Sequence, residues 1–85
     1  MREIVEEDSF KQSLADLGIK YKRFDEVMEG VTFALCERPE LFPKVVGTHI
    51  RRIRIQECLG VPEADIWFTY NTETVRLLHI EALPQ

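Results

Sequence analysis

The sequence has few cysteines and no arrangement of cysteine and histidine that is typical of a metal site. Cys36 and Cys58 are separated by 21 residues, and no second Cys/His pair is present to complete a zinc site. We therefore expect two reduced thiols and neither a metal nor another cofactor. Small secreted domains with a core of this size usually carry several disulfides, so the scarcity of cysteine predicts a cytoplasmic protein.

Long apolar runs and glycine-rich motifs are also missing. No segment approaches the ~20 apolar residues that span a bilayer, and residues 1–7 are too acidic for a signal peptide. The sequence has neither a P-loop nor the glycine pattern of a dinucleotide-binding fold. We expect a protein that is neither exported nor embedded in a membrane.

The charge balance is acidic. Eleven basic residues stand against fifteen acidic ones, for a net charge of -4. This excess of negative charge opposes non-specific binding to phosphate backbones over most of the surface. A nucleic acid, if bound, would have to meet a local basic patch.

The composition favours one packed domain. The chain has 85 residues, of which 45% are hydrophobic, including five Phe, two Tyr and one Trp. At this length about 60 to 65% of the unfolded surface can be buried. No repeat and no low-complexity linker divides the sequence, so we expect a single domain over residues 1–85.

A short strand and a short helix are predicted at the start of the chain. Residues 2–7 predict a strand with Ile4 facing inward. Asp8 or Ser9 offers an N-cap for the helix that follows. The helix is predicted to end at Gly18, because glycine adopts the left-handed conformation without strain.

A longer amphipathic helix is predicted next. Its apolar residues recur at helical spacing, and acidic residues near its start favour the N-terminal end. It is predicted to end near Arg38, because Pro39 disfavours helical geometry in the residue before it. The apolar positions are Phe24, Val27, Met28, Val31, Ala34 and Leu35.

The pattern changes to a period of two in the second half. Residues 52–56 alternate polar and apolar, which on a strand places Ile53 and Ile55 on one face and Arg52 and Arg54 on the other. We expect a half-buried strand here.

Two more strands complete the predicted fold. Residues 66–70 and 75–80 are rich in β-branched and aromatic side chains, and residues 71–74 would join them as a hairpin. Residues 59–64 read as a loop. The predicted class is α+β, with the order β-α-α-β-β-β and a two-helix hairpin on one face of a small, mainly antiparallel sheet. The other face is left available for contacts.

The segment 41–56 is the basic part of the chain, and it contains no acidic residue. Arg52 and Arg54 are expected to project together, where they would bind successive phosphates or a carboxylate-rich partner. The alternative is that alternating charge merely solvates the outer face of a sheet. The basic side chains of the segment are Lys44, Arg51, Arg52 and Arg54, with His49 among them.

Four aromatic side chains are further candidates for chemistry. His49 and His79 offer a general base, but spacing places no carboxylate or nucleophile beside either, and a ring bound to a backbone carbonyl is commoner. Tyr70 is a proton donor, a stacking platform or a half-buried strand residue. Trp67 stacks on a base or fills a core or an interface.

Four segments, together with the element order, resemble the RelE/ParE superfamily of toxins. In that family an N-terminal strand and a helical hairpin ending near a proline precede a three-strand meander, so the resemblance covers almost the whole chain. The segments are FP at 42–43, GTHIRRIRI at 47–55, IWFTYN at 66–71 and VRLLHI at 75–80.

The resemblance implies a protein partner and a target. Members pair with an antitoxin that wraps them; RelE-like members cut messenger RNA on the ribosome, and ParE-like members poison DNA gyrase. The RNA-cutting members use basic residues and often a tyrosine, without a metal. By this resemblance Arg52, Arg54, Tyr70 and His79 form the expected catalytic set, and Lys44 and Arg51 join the two arginines in binding RNA.

The match to the RNA-cutting members is incomplete. Gln56 and Asp65 stand where those members commonly carry arginine, and residues 81–85 contain no basic or aromatic side chain. The expected function is therefore a toxin-like component of a type II toxin–antitoxin system with an open choice of activity. The alternatives are a metal-independent endonuclease acting on messenger RNA, a catalytically inactive module that binds a protein, and a gyrase poison.

Overall fold

The computed structural model describes residues 2–19, 21–58 and 60–84. Within these residues the order of elements is the predicted β-α-α-β-β-β, and the α+β class is confirmed. The elements are β1 (Glu3–Glu6), α1 (Asp8–Asp16), α2 (Tyr21–Glu37), a 3-10 turn (Pro39–Leu41), β2 (Arg51–Ile55), β3 (Ala64–Tyr70) and β4 (Thr74–Ala82).

The four strands form one sheet in the order β1-β4-β3-β2. The meander of β2, β3 and β4 is antiparallel, whereas β1 pairs in parallel with β4. The predicted hairpin between β3 and β4 is confirmed. It has no Asn-Gly pair, but the Asn71 side-chain oxygen accepts hydrogen bonds from the backbone amides of Glu73 and Thr74, both at 2.8 Å, and so fixes the turn.

Both helices pack on the same face of the sheet, as predicted. The buried side chains of the helices meet those of the strands in a single core. Ile53 and Ile55 lie in it, so the predicted facing of β2 is confirmed. The largest fully buried members are Phe10, Phe24, Phe68, Leu14, Leu35, Ile66, Leu77 and Ile80.

The predicted N-cap of α1 is wrong, while its predicted end is confirmed. The capping position is Glu7, which makes no side-chain capping hydrogen bond. Ser9 does not cap the helix because its hydroxyl donates instead to the carbonyl of Leu78 in β4, at 2.6 Å. Gly18 has a φ of 70° and ends the helix in the left-handed conformation.

Beyond the end of β1, the helix α1 lies along the edge of β4. The pairing of β1 ends at Glu6, and the register between β3 and β4 shifts beside Trp67. Past that point the Ser13 hydroxyl accepts a hydrogen bond from the backbone amide of Ile80, at 3.1 Å, while the Ser9 hydroxyl binds Leu78. Two serines of α1 thus satisfy backbone groups that no strand covers.

The strand β3 begins two residues earlier than predicted, at Ala64. Because β4 also extends to Ala82, the two strands keep pairing where a loop was expected. Asp65, expected just before the strand, therefore lies within the sheet and directly opposite Arg54 of β2.

Candidate functional site

The sheet face opposite the helices, called here the outer face, carries two of the three basic residues of β2. Arg52 and Arg54 are both exposed there, side by side, as the alternation of β2 predicts. By the alternation of the strands and their register, the outer-face side chains of β2, β3 and β4 nearest these arginines are Asp65, Trp67, His79 and Glu81.

Strand register arranges these side chains in two rows. The first row contains Arg52, Trp67 and His79, which lie directly opposite one another on β2, β3 and β4. The rings of Trp67 and His79 are 5.5 Å apart between centroids. The second row contains Arg54, Asp65 and Glu81. The first row therefore has one arginine and two aromatic rings, whereas the second row has one arginine and two carboxylates.

Asp65 binds Arg54 and lies close to Arg52 on the outer face. Its carboxylate accepts hydrogen bonds from Nε and Nη2 of Arg54, at 3.0 and 3.3 Å, in the paired geometry that makes such contacts strong. Nη1 of Arg52 lies 3.9 Å from the same carboxylate. The hydrogen bonds that Arg54 donates to Asp65, and then the negative charge of Asp65, raise the pKa of Arg54. An incoming phosphate would have to displace an existing partner of Arg54, so the face is a weaker anion site than two free arginines would make.

Tyr70 is not on the outer face. It packs against the core on the helix side, and the guanidinium groups of Arg2 and Arg51 lie 5.3 and 5.5 Å from the centre of its ring. Arg51 also donates hydrogen bonds to the carbonyls of Glu40 and Phe42, at 3.2 and 2.7 Å. Tyr70 and Arg51 therefore pack together on the helix side of the sheet. Arg52, Arg54 and His79 lie on the outer face.

The predicted RNA-binding set is likewise divided. Lys44 forms a bridge opposite Arg51, which places the two side chains on the same face, and consecutive residues of a strand point to opposite faces. Lys44 and Arg51 are thus separated by the sheet from Arg52 and Arg54. His49 is exposed in the loop before β2 and does not belong to either row.

A carboxylate lies beside His79, contrary to the expectation from spacing. The Glu81 carboxylate is 3.9 Å from Nε2 of His79, because residues two apart on a strand share a face. The pair offers an imidazole with a carboxylate near it, which is one part of an acid–base site. Among the described residues the outer face places no tyrosine or nucleophilic thiol near His79.

A second candidate site is an open groove between α2 and β1, called here the α2–β1 groove. Its volume is about 930 Å³, within the range of binding sites in proteins. The floor is apolar and the rim is charged. The lining residues are Ile4, Glu6, Lys22, Phe24, Asp25, Glu26, Met28, Glu29, Thr32, Phe33 and Leu77.

The rim of the groove is strongly acidic. Four carboxylates face one lysine, and one of them, Glu26, has a partner in Arg23 at 3.4 Å. Burial and then the charge of Asp25 raise the pKa of Glu6, which lies on β1 across the groove from α2. Asp25 and Glu29 are one helical turn apart, a spacing at which like charges repel. Among the described residues, the lining of the groove therefore carries more negative than positive charge.

Phe33 stands at the edge of the groove and is 66% exposed. A signal for this site is present in the sequence. Phe33 falls outside the apolar stripe of α2, and with Asp25 and Glu29 it forms a four-residue repeat along the neighbouring stripe. A large aromatic residue on the polar side of an amphipathic helix indicates a contact surface. The apolar periodicity of α2 indicates only the stripe that faces the core.

The cysteines and the remaining titratable residues give no further site. Cys36 is buried, which raises the pKa of its thiol, and Cys58 is exposed. Within residues 2–19, 21–58 and 60–84, no cluster of three or more His, Cys, Asp or Glu side chains is placed to hold a metal ion. No helix in the described part of the chain is long and apolar enough to cross a bilayer.

Comparison with models of known protein families and with curated protein sequences gives no match for this chain. The resemblance to RelE/ParE toxins therefore depends on the sequence segments quoted above and on the order of the elements.

Proposed function

We propose that this chain is a catalytically inactive, toxin-like protein of the RelE/ParE kind that binds a protein partner in the α2–β1 groove and does not cut RNA. The observation that carries the proposal is the groove itself, with its apolar floor and the exposed Phe33 at its edge. The partner expected from the resemblance is an antitoxin-like protein.

The apolar content of the groove gives a partner enough to bind. Burying a phenylalanine side chain contributes about 1.5–3 kcal/mol relative to leaving it in water. The groove adds the partly exposed walls of α2 and β1 around Ile4, which packs only partly against the core. Contiguous apolar surface with a polar rim is typical of interaction sites.

The outer face supports catalysis less well. RNA cleavage without a metal needs a base, an acid and a free cation at one place. Arg54 is bound to Asp65, and Tyr70 and Arg51 lie on the helix side. Arg52 and His79 remain together on the outer face, beside Trp67.

The first row of the outer face, which contains Arg52, Trp67 and His79, supports a second candidate function. This function is the binding of single-stranded RNA, with or without cleavage on the ribosome. An aromatic ring flanked by a cation is a sequence-tolerant platform for an unstacked base. Arg52, Trp67 and His79 provide these groups in one line across three strands. The acidic second row, with Asp65 and Glu81, opposes the approach of a phosphate backbone.

A capture experiment tests the first candidate with a matched control. Phe33 and Leu41 are 66% and 67% exposed, and only Phe33 lines the groove. We expect a tagged wild-type chain and a Leu41→Ser variant to retain the same protein from host cells, and a Phe33→Ser variant to lose it. Equal retention by all three would contradict groove binding.

Induced expression separates the remaining alternatives. The proposal predicts intact messages in cells that express the wild-type chain or an Arg52→Ala variant. Cleaved messages that depend on Arg52 would establish the RNA-cutting alternative and overturn the proposal. DNA damage with intact messages would point to gyrase.

A further inference from the structure

The α2–β1 groove runs along the first three turns of α2. Its lining residues on that helix extend from Lys22 to Phe33, roughly 17 Å at the rise of an α-helix. This is the length of about three turns of a second helix lying alongside. The buried Phe24 and Met28 form the floor over this length.

The charges along the same length repeat at helical spacing. Asp25 and Glu29 are exposed and one turn apart, and Glu6 faces them from β1. Among the described lining residues Lys22 is the only cation, and it stands at one end. An occupant that places cations along this line would relieve repulsion present in the free domain, whereas an acidic occupant would increase it.

We propose that the groove takes a basic amphipathic helix of a protein partner. Its apolar side chains lie on the groove floor, and two Lys or Arg residues one turn apart face Asp25 and Glu29. The inference rests on the proposed function and adds the chemistry of the partner. A helix fits because cations at positions i and i+4 match the spacing of the two carboxylates.

A second copy of this chain does not supply such a helix. In the described residues, α1 carries a single cation, Lys11, and the two cations of α2, Lys22 and Arg23, precede four acidic residues on the same helix. Neither helix presents two cations one turn apart on an apolar face. The occupant is therefore a helix of a different protein.

Binding of two model peptides to the full chain tests the inference. The first is a labelled helical peptide with leucines on one face and two lysines one turn apart beside them. The second has glutamates in place of those lysines. Exposed charge pairs are individually weak, so two such pairs set against two repulsions predict about tenfold tighter binding of the lysine peptide. Added salt should reduce the difference.

Charge reversal on the protein gives the sharper result. The double variant Asp25→Lys/Glu29→Lys should prefer the glutamate peptide. The control variant Asp16→Lys/Glu57→Lys has the same change in net charge at exposed positions outside the groove, and it should keep the preference of the wild type. Circular dichroism confirms that each variant is folded.

Three outcomes would overturn the inference. These are equal binding of the two peptides, no binding of either up to about 1 mM, or a dimer in sedimentation that Phe33→Ser dissociates. The proposed function is tested separately by the capture experiment. A captured protein lost by Phe33→Ser, together with equal peptide binding, would retain the groove as a docking site and remove the basic helix as its occupant.

Discussion

At the scale of single residues, Asp65 determines the charge of the outer face. Its side chain is only 7% exposed, and it bonds Arg54 while lying near Arg52. The sequence has an acidic residue at this position, where the RNA-cutting toxins that it resembles commonly carry arginine. The pairing with Arg54 was not predicted, because the strand was expected to begin at residue 66, just after Asp65, and cross-strand partners depend on where a strand begins. Once β3 starts at Ala64, the register places Asp65 and Arg54 opposite each other.

Replacing Asp65 should strengthen binding to an anion. We expect the variant Asp65→Asn to bind a single-stranded RNA oligonucleotide more tightly than the wild type, because it leaves Arg52 and Arg54 without their carboxylate. The slope of log affinity against log salt should steepen by about 0.7 to 1.4, for one or two added phosphate contacts. A salt titration by fluorescence anisotropy measures this slope.

The control for this prediction is Glu57→Gln. Glu57 is exposed outside the sheet, and its replacement changes the net charge by the same amount. If the two variants bind RNA equally, net charge alone governs binding and the pairing on the outer face has no part in it.

Glu6 makes stability depend on pH. Burial and the charge of Asp25 raise its pKa in the folded state, so the folded chain binds a proton more readily than the unfolded chain. Stability from this group is therefore complete at low pH and is lost as pH rises through the folded pKa. We expect Glu6→Gln to be more stable than the wild type at pH 7 and to lose that advantage below about pH 4.

Denaturant melts at several pH values test this sign. In a chain that already carries Asp25→Asn, the gain in stability from Glu6→Gln at pH 7 should be smaller. Asp25→Asn removes the second cause of the raised pKa of Glu6. A Glu6→Gln variant that is less stable than the wild type at pH 7 would contradict the account of the groove charges.

At the scale of elements, α1 has two roles. Its apolar side packs Phe10 and Leu14 into the core, and its serines bind the uncovered edge of β4. The helix itself was predictable from apolar spacing and from Gly18. The serine contacts were not, because they depend on a register shift in β4, and nothing in the local sequence around Leu78 marks that shift.

The contact between α1 and β4 has a measurable value. Ser13→Ala would leave the backbone amide of Ile80 buried without a partner, which costs about 1–3 kcal/mol. Ser9→Ala removes an exposed hydrogen bond to a carbonyl, for about 0.5–1.5 kcal/mol. Urea unfolding should therefore rank Ser13→Ala as the less stable variant. The opposite order would mean that the hydroxyl of Ser13 is not what satisfies the edge of β4.

At the scale of the whole molecule, the chain separates two surfaces. The helices cover the inner side of the sheet, and on that side an acidic groove is open between α2 and β1. The outer side carries a row of cationic and aromatic side chains next to an acidic row. The class of fold and the facing of β2 followed from periodicity, which is a local property. The placement of Tyr70 and Arg52 on opposite faces of the sheet depends on tertiary packing, and so does the position of the groove. Local sequence patterns do not predict either of them.

The central claim is that the groove, and not the outer face, carries the function. The most direct test is the dissociation constant of the protein captured from host cells, measured by calorimetry for the wild type, Phe33→Ser and Arg52→Ala. Because the complex would bury the exposed side chain of Phe33, we expect Phe33→Ser to weaken binding by about 10- to 100-fold. No change is predicted for Arg52→Ala. Weakening by Arg52→Ala with unchanged binding by Phe33→Ser would contradict the account.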